Sequence, residues 1–309
     1  MDSIYPKRHP ALLIIIFLGF FIGALLISQF LMMLILYPFL GNNVMTLGNV
    51  IQNPNAYPDY QYVILFVQGF TSFCAMVVAP LIFIRYFFEG KLNFFKNVPA
   101  EIFFLSTGLL VIISMPANAW IADLNLQIDM PDVFESWAAE KEKELKVLTE
   151  YMTNFKTNTE FFIGLIVIAL IPAIGEELMF RGIIQTSLKD WLKNNHAAIW
   201  ISAIIFSAIH MQFYGFFPRL FLGVLFGYLF AWTGNMLIPI TGHFVNNGFT
   251  LFLLYMKNLG KLKIDVESTK EIPTGLIIGS AVIFIGMFVA FWFQFKNSVK
   301  KASNEVSKY

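Results

Sequence analysis

The feature that most constrains this chain is a series of long apolar runs. A helix needs about 20 apolar residues to cross the hydrocarbon of a bilayer, and eight stretches approach or exceed that length. They extend from about Ala11 to Leu40, Tyr62 to Phe88, Ile102 to Ile121, Phe161 to Thr186, Ala197 to Phe213, Pro218 to Trp232, Leu237 to Met256 and Gly275 to Phe295. Hydrophobic residues make up 57% of the 309 residues and charged residues only 13%, whereas a soluble domain is about 25% charged. So few charges cannot cover the surface of a soluble protein of this size. The 35 phenylalanines suit a surface that faces lipid. We therefore expect an all-α polytopic membrane protein of about eight transmembrane helices. The first run is too long for a signal-peptide core and no small-x-small cleavage site follows it, so it reads as a retained span. Pro116 is expected to bend or end the third span.

Several classes fall away. The single Cys74 excludes a disulfide scaffold and a CxxC metal site. A net charge of +1 and the apolar composition argue against disorder and against a nucleic-acid partner. Short loops on the cytoplasmic side carry an excess of Lys and Arg. Lys7 and Arg8 precede the first span, residues 41–61 contain no basic residue, and Arg85, Lys91 and Lys96 follow the second. Lys189 and Lys193 come next, and Lys296, Lys300, Lys301 and Lys308 close the tail. This alternation predicts both termini in the cytoplasm. The loop with Lys257, Lys261, Lys263 and Lys270 runs against it, and Asp265, Glu267 and Glu271 in that loop weigh little in the rule.

Four parts follow. Residues 1–131 hold three spans, 132–160 a charged connecting helix, 161–256 a transmembrane core with the candidate chemistry, and 257–309 a loop, the last span and a basic tail. In the connecting helix, Glu140 to Glu144 alternate in charge, while Trp137, Leu145, Leu148, Met152 and Phe155 recur at roughly helical spacing. That pattern predicts an amphipathic helix at the membrane interface. It serves either as a solvated connector or as a gate or arm facing substrate.

An ionisable residue within a span is costly and usually has a partner or a task. The fourth span carries Glu176 and Glu177, followed by Arg181. Glu177 and Arg181 are four apart with the acid first, the favoured order for a helical ion pair. Glu176 points about 100° away and is expected to lack a local partner. Pro172 removes a helical hydrogen bond upstream, and Gly175 admits a neighbouring backbone. His210 falls about 20 Å along the fifth span. His243 and Asn247 share one face of the seventh. Gly223 and Gly227 form a small-xxx-small pattern for helix packing. Arg219, just after Pro218, is expected to snorkel to lipid headgroups, with a substrate carboxylate as the lesser alternative.

Three apolar helices thus donate polar groups at a plausible common depth, and hydrolysis is the chemistry they suggest. Glu176, assisted by His210, would activate water, and His243 with Asn247 would stabilise an oxyanion. Alternatively, Glu176, His210 and His243 are a two-His, one-Glu set able to bind Zn²⁺. With Asn247 on the face of His243, we prefer the metal-free route. Two other classes compete: a proton-coupled transporter using these residues as a relay, and a non-catalytic scaffold or immunity protein.

At these residues the sequence resembles the CPBP intramembrane proteases, which comprise CAAX proteases and bacteriocin-processing enzymes and are also called the Abi family. The resemblance rests on Glu176-Glu177-x-x-x-Arg181, Phe206-x-x-x-His210 and His243-x-x-x-Asn247, in that order over about residues 161–256. It implies an intramembrane endopeptidase with Glu176 as base, His210 assisting, His243 and Asn247 at the oxyanion, and Glu177 and Arg181 in support. The family is often labelled metalloprotease, although a metal-independent glutamate mechanism has been argued for its eukaryotic members. The implied partner is a membrane-associated peptide or protein, lipidated and CAAX-like or of the bacteriocin or pheromone type. The implied location is a bacterial plasma membrane.

Overall fold

Long apolar runs satisfy every backbone polar group internally by forming helices, the only open-chain solution in lipid. The computed structural model describes residues 9–88, 94, 101–129, 132–262 and 272–306. Among these, all regular structure is helical. Lys7, Arg8, Lys91, Lys96, Lys263, Lys270 and Lys308, with Asp265, Glu267 and Glu271, lie outside the described residues.

Among the described residues seven helices are long and apolar enough to cross a membrane: α1 (Pro10–Gln52), α2 (Pro58–Phe87), α3 (Glu101–Leu126), α5 (Asn158–Leu192), α7 (Phe213–Thr233), α8 (Leu237–Asn258) and α9 (Thr274–Asn297, continuing to Val306). The amphipathic connector forms α4 (Asp132–Thr153). The expected fifth span is corrected. It is a shorter apolar helix, α6 (Asn195–Ala208), which stops before His210. Fourteen residues rise only about 21 Å, so α6 ends short of a full crossing. A left-handed Met211 (φ 54°) then turns the chain into α7. The third span is also longer than expected, because α3 runs through Pro116 to Leu126.

Helix boundaries follow from local chemistry. Thr157 caps α5 with a reciprocal box: its hydroxyl accepts from the Glu160 amide at 3.2 Å, and the Glu160 carboxylate accepts from the Thr157 amide at 3.1 Å. The Asn194 side chain caps α6 by accepting from the amides of His196 and Ala197. α7 ends at Gly234, which takes the left-handed conformation (φ 62°) that glycine adopts without strain.

Two aromatic-rich cores flank the polar centre. One joins Phe17, Phe83, Leu178, Phe180, Ile183 and Phe206, contributed by α1, α2, α5 and α6. The other joins Phe103, Leu110, Phe226, Leu229, Ile238 and Phe291, contributed by α3, α7, α8 and α9. α5 and α8 meet between them.

Candidate active site

α5 is not a uniform α-helix. It widens into π-helical turns over Leu165–Leu170 and again over Leu178–Gln185, on either side of the regular turn that carries Glu176 and Glu177. Such wide turns recur at functional sites, where they shift a side chain against its neighbours. Here they bracket the two carboxylates.

Glu177 and Arg181 form the ion pair expected from their spacing. Arg181 Nε lies 2.9 Å from Glu177 Oε2, and both side chains are almost wholly buried (1% and 0% exposed). Arg181 also donates through Nη2 to the Gly223 carbonyl of α7 at 2.9 Å, and one turn later Gln185 donates to the Gly227 carbonyl at 3.1 Å. The small-xxx-small face of α7 therefore presents backbone acceptors to α5 besides packing against α6. The guanidinium lies 5.3 Å and 5.7 Å from the ring centres of Phe206 and Phe226, so the buried cation is also shielded by π faces.

His243 links the two carboxylates. Its Nδ1 lies 2.8 Å from Glu177 Oε1, and its Nε2 lies 3.6 Å from Glu176 Oε2. An ionised carboxylate only accepts, so Nδ1–H donates to Glu177 and Nε2 is turned toward Glu176. The ring stacks on Phe226, with centres 5.4 Å apart and planes 21° apart, and meets Phe206 edge-on. Glu176 has no partner within α5, as its spacing leads one to expect, and the group that faces it comes from α8. Its side chain is 13% exposed, against none for Glu177. The more accessible carboxylate is the one free of the ion pair.

His210 sits in the turn after α6 and not on the helix. Its Nδ1 lies 2.7 Å from the Phe206 carbonyl. A carbonyl only accepts, so Nδ1–H donates and caps the end of α6, as the unpaired last carbonyls of a helix require. In the neutral ring this leaves Nε2 as an acceptor. Asn247 lies one turn beyond His243 on α8, and its Oδ1 accepts from Asn246 Nδ2 at 3.1 Å. Asn246 thus helps to orient the Asn247 side chain. The Glu176, His210 and His243 set does not gather as metal ligands: among the described residues no group of three such side chains is close enough to hold an ion. Both histidine Nδ1 atoms are engaged in other hydrogen bonds.

Sequence reasoning missed Phe226 as the stacking partner of His243 and left Phe206 as a motif position without a physical role. Spacing could have found one of them: Phe206 is four residues before His210, and the two rings meet with centres 5.0 Å apart. Phe226 had no local signal. The Arg219 guanidinium binds the carbonyl and side-chain oxygens of Gln212 in the turn before α7.

Residues 158–249, which contain all six site residues named from the sequence, match the family model described as type II CAAX prenyl endopeptidase Rce1-like. The uncharacterized protein YpbD of Bacillus subtilis (strain 168) is 32% identical over 85 residues, 26% of this chain and 40% of that protein. The membrane-embedded CAAX protease MroQ of Staphylococcus aureus (strain USA300) is 32% identical over 90 residues, 27% of this chain and 36% of that protein. The chain thus spans about two fifths of the length of these relatives. No solved structure matches it. The matches are consistent with the CPBP family.

Proposed function

We propose that this protein is an intramembrane endopeptidase that hydrolyses a peptide bond of a membrane-associated substrate through a water activated by Glu176. The observation that carries the reading is the position of Glu176. It is a partly accessible carboxylate facing His243 Nε2 at 3.6 Å, beside a Glu177–Arg181 pair that consumes the other acid. The match of residues 158–249 to CAAX endopeptidases supports the same reaction class.

In this mechanism Glu176 takes a proton from water as the water oxygen attacks the scissile carbonyl carbon. His210 Nε2 accepts a hydrogen bond from the same water and directs its lone pair. The carbonyl oxygen becomes an oxyanion, which the Asn247 amide and the His243 ring stabilise. Glu177 holds His243 through Nδ1, and Arg181 holds Glu177. The proton on Glu176 then passes to the leaving amine as the C–N bond breaks. No step requires a metal, and the three conditional ligands do not fit one as they stand. Apolar walls around the site favour a substrate that carries a lipid or a hydrophobic segment, of the CAAX-like or the bacteriocin or pheromone type. The distribution of lysines supports cytoplasmic termini in a bacterial plasma membrane.

The test uses purified protein in nanodiscs with a quenched prenylated peptide and a non-prenylated control. Glu176→Gln should keep the wild-type unfolding midpoint and lose cleavage by about 10²–10⁴-fold, the usual contribution of a general base. Cleavage by that variant at the wild-type rate removes the mechanism. Activity lost to a tight zinc chelator and restored by Zn²⁺ replaces it with a metal-dependent one.

A further inference from the structure

α4 crosses the end of the bundle at which the turn after α6 lies. Its C-terminal part is tied down: Tyr151 Oη donates to the Tyr57 carbonyl at 2.7 Å, Gln61 donates to the Tyr151 carbonyl at 2.9 Å, and Asn258 donates to the Thr153 carbonyl at 2.8 Å. The helix also contacts the Phe213–Gly215 turn at the start of α7. In its middle, Glu142 holds a carboxylate oxygen, Oε2, that is buried and has no hydrogen-bond partner. The neighbouring acids Glu140 and Glu144 are exposed.

Arg219 stands on the other side of this gap. Its guanidinium lies against Gly215, where a Cβ would sit 2.5 Å from Nη1. It donates to the Gln212 carbonyl at 3.5 Å and to the Gln212 side-chain oxygen. Both acceptors are neutral. The carboxylates whose charge acts on Arg219 are Glu142 of α4 and Glu176 of the active site, and Arg219 and Glu176 in turn both act on His210. One cation therefore stands between the proposed base and the connecting helix. A half-buried cation bonded only to neutral groups, near a half-buried carboxylate with one buried, unpaired oxygen, is costly on both sides. The two attract each other without closing into a hydrogen-bonded pair. A carboxylate that reaches Arg219 directly gains more than Glu142 does.

We propose that Arg219 anchors a carboxylate of the substrate and that Glu142 substitutes for it in the resting protein, so that α4 is a lid released by the substrate's own charge. The inference rests on the peptidase reading for its substrate but not for its latch. The anchored group is either the C-terminal carboxylate of the peptide or an acidic side chain near the cleaved bond. Arg219 is a specificity-determining residue, and Glu142 acts on it from the lid.

Two readouts test this in nanodiscs. The first is tryptic nicking of α4 at Lys141, Lys143 and Lys146, which needs no catalysis. Glu142→Gln should speed nicking several-fold, and so should Arg219→Gln. Arg219→Lys should retain part of the protection, and Glu135→Gln, at an exposed position of α4, should leave the rate unchanged. In a Glu176→Gln background a farnesylated peptide with a free C-terminus should speed nicking and its C-terminal amide should not. If both do, an acidic side chain is the source, and replacing that residue with its amide abolishes the effect. The second readout is cleavage. The wild type should prefer the anchored carboxylate by about tenfold in kcat/KM, Arg219→Gln should bring that ratio to about one, and Glu142→Gln should lower KM several-fold at unchanged kcat. Nicking of Glu142→Gln at the wild-type rate, or a wild-type acid preference in Arg219→Gln, overturns the proposal. A latch that responds to mutation and to peptide in a wild type that cleaves nothing overturns the peptidase reading and leaves the carboxylate-released lid standing.

Discussion

Glu177→Gln is the perturbation that best separates the electrostatics of this protein from its packing. The substitution is nearly isosteric, so it opens no cavity. It removes one charge from a pair in which Arg181 is 1% and Glu177 0% exposed, and leaves the buried guanidinium with the charge of Glu176 acting on it but no ion-pair partner. Removing one partner of a buried pair costs about 3–5 kcal/mol. The remaining partners of Arg181, the Gly223 carbonyl and the faces of Phe206 and Phe226, offset part of this and favour the lower end. Converting Arg181 to Met as well removes the stranded charge. The double variant should therefore be more stable than Glu177→Gln, short mainly of the Gly223 hydrogen bond, worth about 1 kcal/mol. The chain supplies its own control. Lys141 and Glu144 on α4 approach to 2.6 Å, closer than the buried pair, but their side chains are 42% and 56% exposed. Water screens such a pair and its contribution is small, so Glu144→Gln should leave the unfolding midpoint unchanged. The assay is denaturant unfolding in nanodiscs for Glu177→Gln, Arg181→Met, their double variant and Glu144→Gln. A Glu177→Gln midpoint equal to that of Glu144→Gln, or single-variant costs that simply add in the double variant, refutes the reasoning.

Two further outcomes follow from the geometry. Asn247→Ala should lower kcat about 10²–10³-fold, the effect of removing one oxyanion donor, with little change in KM; a change confined to KM would assign Asn247 to substrate binding. Gly227→Ala introduces a Cβ 2.8 Å from Ile199 Cγ2 and 3.0 Å from Gln185 Oε1, so it should cost about 1–3 kcal/mol through overpacking and loosen the α5–α7 contact. A midpoint unchanged by this variant would show that the contact yields freely.

The parts of this fold that were legible from sequence are those fixed by neighbours along one helix. Each apolar run became a helix, and the Glu177–Arg181 pair formed because positions four apart share a face. What escaped was set by contacts between helices or by turn chemistry without a marker. The end of α6 carries no Gly or Pro: Ala208-Ile209-His210-Met211 reads as more helix. It stops where the His210 ring caps the Phe206 carbonyl and Met211 adopts a left-handed conformation. The tie between His243 and Glu177 joins residues 66 apart in sequence, and no period in either helix reveals it. Pro218-Arg219 looks the same whether the arginine reaches outward to headgroups or inward to Gln212. The packing of α4 and α6 around it decides, and neither leaves a local trace.

The site also depends on helices outside the segment that resembles known proteases. Each helix that supplies a central residue carries a glycine one position earlier: Gly175 before Glu176 and Gly242 before His243. A Cβ on Gly175 would lie 2.5 Å from Met76 Cβ and 2.9 Å from the Met76 carbonyl oxygen, so the backbone of α2 is pressed against α5 there. A Cβ on Gly242 would lie 2.9 Å from the Phe226 ring and 3.1 Å from Thr107 Cγ2, which belongs to α3. Both contacts are tighter than ordinary van der Waals packing, and both set how far a chemical group projects into the centre. Gly175→Ala meets backbone, which cannot rotate away, so α5 must shift. Gly242→Ala meets a ring edge and a methyl group, which can yield. Gly175→Ala should therefore lose more activity than Gly242→Ala, although each adds one methyl group. A displacement of about 1 Å at a catalytic group can cost 10²-fold, so the loss in Gly175→Ala should appear in kcat even where the unfolding midpoint falls by only about 1–3 kcal/mol. Equal kcat in the two variants would show that α2 and α3 merely pack around the site and do not set its geometry.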